Sequence, residues 1–192
     1  MLSTFTAFVD SNVFYGARLR SLILFLAQTG LFRARWSDDV HREWIESLLK
    51  QRPDLSATDL ARTRRQMNEA VLDSLVTGYE NLIPSLKLPD QNDRHILAAA
   101  ICARASVIVT FNEKDFPAEA LDPYGIHTRN PDDFIMDVCG IEQAQCIDAI
   151  HQDIQHYTKP PLTLDEYIAS LEKAGIPRTA AFLREVRIIF EF

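Results

Sequence analysis

Two carboxylates three positions apart, Asp90 and Asp93 in PDQNDRHILAAAI, open the most alanine-rich helix start in the chain. An aspartate at an N-cap accepts a backbone amide, and acids in a first turn complement the helix dipole, so capping accounts for either residue taken alone. Other acids stand where chemistry could use them: Asp10 after the apolar TAFV, Glu43 within an amphipathic stretch, and Asp115 after VIVT with Asn112 between. Singly, each has an ordinary reading as a turn bond, a surface residue or a cap. Jointly, two strand ends and a helix start of one parallel sheet converge on a single crevice. Four or five acids gathered there repel one another unless a cation neutralises them. A hard divalent ion, Mg²⁺ or alternatively Mn²⁺, takes oxygen ligands and keeps several waters. Such a site orients a phosphodiester and activates a water for in-line attack.

The elements that must position these acids are legible in outline. TAFVDSNVF reads as a short buried strand ending in a polar turn, and a helix follows from about Gly16 to Thr29. WSDDVHREWIESLLKQRP begins with Ser37 as N-cap and places Val40, Trp44, Ile45, Leu48 and Leu49 on one stripe, with Glu43 at its border and Pro53 as the stop. Ser56 to Val76 reads as one long polar helix, and Arg62, Arg64 and Arg65 give it a basic face, either RNA-contacting or simply solvated. Val107–Val109 form a β-branched strand core ending at Thr110, whose hydroxyl either bonds a ligand group or satisfies a local amide. This order of strand, helices and strand predicts an α/β fold with a parallel sheet.

Beyond a candidate last strand at 124–127, the chain reads as helical. One helix opens at NPDD, one runs from Glu142 to about Tyr157, one from a Thr163–Glu166 capping box to Gly175, and one from about Thr179 to Ile188. The final RIIFEF is apolar and is expected to be docked.

Composition narrows the function classes. At 192 residues and 47% hydrophobic, the chain suits one domain with a terminal extension. A net charge of -7 argues against coating nucleic acid through bulk charge. Cys102, Cys139 and Cys146 show no metal or CxxC spacing and read as reduced core thiols. MLSTFTAFVD lacks an export signal, and the longest apolar run falls far short of the roughly 18 residues of a membrane span, so a cytoplasmic protein without membrane association is expected.

FVDSNVF, the Glu43 helix and DQNDRHILAAAICARASVIVTFNEKDFP, in that order, resemble the PIN-domain family, in particular the VapC-like ribonuclease toxins, over roughly residues 5 to 135. The resemblance implies a three-layer α/β fold with a central parallel sheet, divided into a nuclease domain at 1–138 and a helical extension at 139–192 packed on it. It implies a metal-dependent endoribonuclease acting on structured RNA, silenced by a cognate antitoxin that inserts a basic side chain among the acids, with a homodimer as a further expectation. By position, Asp10, Asp93 and Asp115 correspond to the metal ligands and Glu43 to the helix glutamate of the catalytic set, with Asp90, Thr110 and Asn112 in support. Many relatives carry an aspartate where this chain has Asn112, which leaves Asp115 as the last acid. Asp90, at the helix start, is the better cap, and Asp93, one turn in, the better ligand. His41 and His95 stand outside the catalytic set. A non-catalytic binding module and a DNA-directed nuclease are the alternatives.

Overall fold

The computed structural model describes residues 4–190, so the first three residues of the segment read for an export signal and the last two of RIIFEF lie outside it. Its centre is β1 (Thr6–Val9), where Ala7, Phe8 and Val9 are wholly buried. An unbroken apolar run of this kind belongs to a parallel strand covered on both faces. The chain then turns through the short α1 (Ser11–Phe14) into α2 (Ala17–Gln28) and returns as β2 (Arg33–Ser37). Next come α3 (Asp38–Gln51), α4 (Ala57–Ala70) and the two-residue β3 (Leu75–Val76). A 3₁₀ turn at Gln91–Asp93 leads into α5 (Arg94–Cys102), which precedes β4 (Val107–Val109), α6 (Ala118–Leu121) and β5 (His127–Arg129).

All strand pairs are parallel, in the order β3-β2-β1-β4-β5, with Phe8 opposite both Arg35 and Ile108 and Val109 opposite Arg129. Helices flank the sheet, as the three-layer α/β reading expects. The chain builds outward from β1 through β2 to β3, then crosses back to β4. The carboxyl ends of β1 and β4 therefore border the point where the winding reverses, the place in such sheets where a crevice forms.

Three sequence expectations are corrected. Arg33–Ser37 is a strand, which charges at Arg33 and Arg35 conceal; only Ala34, Trp36 and Ser37 are buried. The long helix expected to Val76 stops at Ala70, and Asp73 adopts a left-handed backbone (φ +58°) that turns the chain into β3. The last strand lies at His127–Arg129 rather than 124–127.

The remainder forms α7 (Pro131–Ile141), α8 (Gln143–His156), α9 (Leu164–Lys173) and α10 (Pro177–Glu185). The Thr163–Glu166 capping box is present, and Gly175 ends α9 in left-handed backbone (φ +81°). A side chain at Gly175 would begin 3.6 Å from the Phe111 ring, so this turn lies against the segment that follows β4. The expectation of three free core thiols is also corrected. Cys139 and Cys146 form a disulfide across the tight α7–α8 turn, with Cα atoms 5.1 Å apart, and Cys102 is exposed. Of the tail, Ile188 and Ile189 are exposed rather than docked, while the Phe190 ring meets His151 edge-on.

A buried polar junction joins α2, α8 and α9. Asp153, fully buried on α8, accepts hydrogen bonds from Ser21 on α2 and from the Tyr167 hydroxyl on α9 (2.6 Å). Burial pushes its carboxyl above the ordinary range, the two hydroxyls oppose this, and Arg18 adds a favourable charge while stacking 3.9 Å over the Tyr157 ring. Asp132, also buried, accepts from the amides of Arg178 and Thr179 and so ties α7 to the start of α10. Asp153→Ala strands two hydroxyls and removes a carboxyl whose charge Arg18 favours. The expected cost is about 3–5 kcal/mol in denaturant unfolding, with Asp153→Asn milder; an unchanged midpoint would show that the junction contributes nothing.

Candidate active site

Asp10 sits at the carboxyl end of β1, only 4% exposed, and its extended backbone (ψ 156°) makes it the N-cap of α1. A carboxylate so buried needs donors, and both its oxygens have them. Oδ1 accepts from the Ser11 amide (2.6 Å) and the Ser11 hydroxyl (3.2 Å). Oδ2 accepts from Asn12 Nδ2 (2.6 Å) and the Thr110 hydroxyl (2.7 Å). Burial raises the Asp10 pKa and Glu43 pushes the same way, while the Thr110 and Ser11 bonds pull it down.

Thr110, fully buried at the end of β4, accepts from Asn12 Nδ2 (2.9 Å) and from the Asn112 amide (3.0 Å) while donating to Asp10. Asn12 Oδ1 in turn accepts the Phe111 amide (3.2 Å). The ends of β1 and β4 are thereby locked into one frame. Asn12 was not singled out from the sequence; the signal available was its place two residues after Asp10 in DSN, where a short amide side chain reaches back to a turn.

The opening pair divides. Asp90 is exposed and accepts the Asn92 amide (2.8 Å), acting as the cap of the 3₁₀ turn. Asp93 makes no capping bond. Burial raises its pKa to about 7, and the charges of Asp10, Asp90, Asp115 and Glu43 all push it the same way. These carboxylates, from β1, α3, the turn before α5 and the segment after β4, therefore share one field. Asp115 is partly exposed, its amide bonded to the Asn112 carbonyl (3.0 Å). The Asn112 side chain is exposed and caps nothing.

Glu43 comes in from α3, and its Oε1 meets Nε2 of the buried His95 at 2.6 Å. Burial disfavours charge on His95, but the hydrogen bond and charge of Glu43, with Asp39 and Asp10 adding, lift its pKa above the ordinary value. His95, left outside the catalytic set from the sequence, is the basic group that meets Glu43. His41 differs: buried between Trp36 and Trp44, it bonds Asn68 Oδ1 and the Trp44 indole, and burial lowers its pKa. It is a neutral packing residue.

The basic face of α4 lies apart. Arg64 pairs with Asp38 (2.6 Å), Arg62 and Arg65 are exposed, and no hydrogen bond or ion pair among the described residues joins any of the three to the acids.

The donor set fits a hard divalent cation: the carboxylates that share this field offer oxygen, and among the described residues one basic side chain, His95, bonds to them. Among the described residues, no three His, Cys, Asp or Glu side chains close on a single point as they stand. An ion that keeps most of its waters needs only one or two of them. With four hydrogen bonds already on its oxygens, Asp10 would give up one, and the 3.2 Å bond from the Ser11 hydroxyl is the longest.

A PIN-domain family profile matches residues 6–114, and a profile described as the VapC50 C-terminal domain matches residues 131–185. The chain is 38% identical over 109 residues to a protein named "Putative ribonuclease VapC50" from Mycobacterium tuberculosis (strain ATCC 25618 / H37Rv). That match covers 57% of this chain and 63% of the relative, less than two thirds of its length. No solved structure matches significantly.

The raised Asp93 pKa sets a direction for stability. The folded state holds a proton at Asp93 up to about pH 7 that the unfolded chain releases near its ordinary value of 3.8, so stability falls as pH rises through that window. In EDTA at pH 8, Asp93→Asn is expected to melt about 2–4 °C above the parent, a shift worth roughly 1 kcal/mol at this length after discounting for its half-exposed position. The difference should vanish near pH 4. Equal melting temperatures at pH 8 would mean that Asp93 does not feel the other acids.

Proposed function

The chain belongs to the PIN-domain family, and on that footing we propose that it is a metal-dependent endoribonuclease, the toxin of a toxin–antitoxin pair. The observation that carries the reading is the gathering of Asp10, Glu43, Asp93 and Asp115 in one field at the switch point of the sheet. The relative's name, "Putative ribonuclease VapC50", supports RNA as substrate.

In this reading Asp10, Asp93 and Asp115 hold Mg²⁺ or Mn²⁺. When bound, such an ion supplies Lewis-acid activation of a phosphodiester and of the attacking water. The protein's part is arrangement. Thr110 and Asn12 fix the Asp10 carboxylate; His95 holds Glu43 by Oε1, leaving Oε2 to orient the attacking water and take its proton. Asn112 carries no charge, so Asp115 serves as the last acid. Arg62 and Arg65 are free for RNA backbone contacts away from the reacting centre.

Residues 1–138 form the catalytic unit and 139–192 an extension packed on it, in a protein acting in the cytoplasm. The antitoxin partner offers a basic peptide to the acidic crevice, which a net charge of -7 favours. Homodimerisation is part of the same family-based reading.

Purified protein should cleave an RNA pool with Mn²⁺, stop in EDTA, and lose about 10²-fold or more of its rate in Asp10→Asn or Asp93→Asn. Cleavage that survives chelation, or both substitutions, overturns the proposal. Cleavage of matched DNA alone would move the activity to DNA, and no cleavage together with no Mn²⁺ uptake in calorimetry would make the fold a binding module.

A further inference from the structure

A polar trough leads away from the acids between α1 and α3. Glu43, Ser47 and Gln51 stand at intervals of four residues, one stripe of α3. Ser11, Asn12 and Tyr15 face them across a cavity of about 290 Å³, in which the half-buried Tyr15 supplies the accessible ring while Trp44, also lining it, is buried. This lies at the small end of the range for organic ligands, suited to one ring system rather than an extended molecule.

The trough's chemistry selects its occupant. None of its lining side chains is basic, so nothing there holds a phosphate, and Glu43 at the inner end repels one. What remains is neutral hydrogen bonding beside an aromatic wall. The Tyr15 hydroxyl donates to Gln51 Oε1 (2.6 Å) and closes the outer end. The Gln51 Nε2 donors and the Ser47 hydroxyl have no protein partner among the described residues. An uncharged planar ring with donor and acceptor edges satisfies both features, stacking on an aromatic face and bonding along its rim.

We propose that this trough seats the nucleobase of a nucleotide adjoining the scissile phosphodiester, with Gln51 and Ser47 reading its edge and Tyr15 packing against its face. The assignment rests on the ribonuclease reading above. It makes these residues determinants of where the chain cuts, while Asp10, Glu43, Asp93 and Asp115 determine that it cuts.

The test uses the full chain, Mn²⁺ and a single-stranded RNA library randomised around its centre, with the new 5′ ends sequenced. Wild-type protein is expected to prefer particular bases at one position within two nucleotides of the cut by roughly tenfold, the scale of one stacked and hydrogen-bonded base. Gln51→Ala and Tyr15→Ala should flatten that preference to about twofold or less while cleavage and Mn²⁺ affinity persist. Gln51→Glu, which replaces a donor by an acceptor, should change the preferred base. A preference retained in all three variants, or no preference in wild type, overturns the trough and leaves the nuclease standing. Folded, Mn²⁺-binding variants that no longer cut at all also overturn it, because a base-reading residue alters the choice of site and not the capacity to cut. Wild-type protein that cuts the RNA pool but no member of this library overturns the trough and leaves the nuclease standing, whereas protein that cuts neither and takes up no Mn²⁺ removes both readings together.

Discussion

A carboxylate removed from water at the end of a strand must find its hydrogen bonds in the protein, and at Asp10 that requirement organises the centre of the fold. Three of its four donor groups come from Ser11 and Asn12 in the turn that follows, and the fourth from Thr110, a hundred residues along the chain. That last bond forms only when β4 lies beside β1 in register, Val9 opposite Val109. The pairing of the two central strands and the fixing of the buried acid are therefore one event. The order in which the remaining strands are added, outward to β3 and then back to β5, leaves the crevice open at this junction.

Around Asp10 the structure accumulates carboxylates with little to offset them. Asp93, Asp115 and Glu43 are brought in by separate elements, and the sole basic side chain bonded to any of them among the described residues is His95. Folding stability alone would not select this arrangement, since like charges at short range oppose compaction. The cost is concentrated where the sheet's topology offers a binding crevice, a common pairing of local strain with chemistry. Further out the polarity changes character: along α3 the stripe passes from Glu43 to the neutral Ser47 and Gln51 within two turns.

The acids were legible in the sequence because each follows or opens a recognisable element: an apolar run before Asp10, a β-branched run before Asp115, an alanine-rich helix after Asp93. That Asp90 caps its turn and Asp93 does not was also legible as geometry, since the residue that opens a turn is placed to cap it and the one three positions on is not. What escaped reading is mostly contact across sequence. His95 sits on a helix that looks uniformly apolar, and its partner Glu43 is 52 residues away. Asn12 looks like any turn asparagine until Thr110 and Phe111 arrive beside it. Strand β2 was hidden because two of its five positions are arginine, and β3 because two residues are too few to show a period. The disulfide between Cys139 and Cys146 depends on a helix–helix turn whose tightness no spacing rule announces.

The distance along the chain between Asp10 and Thr110 also fixes when, during synthesis, the site can exist. Translation delivers Asp10, Asn12 and Glu43 early, but the hydroxyl that holds the buried carboxylate and the Phe111 amide that anchors Asn12 are added only after more than half of the 192 residues. Until β4 has left the ribosome and paired with β1, the acids have no common frame. A chain interrupted anywhere before residue 110 is therefore inert as a site, whatever its other parts have folded into. The parallel crossover thus acts as a check on synthesis, in which the joint frame of the acids is withheld from every chain that stops short of β4.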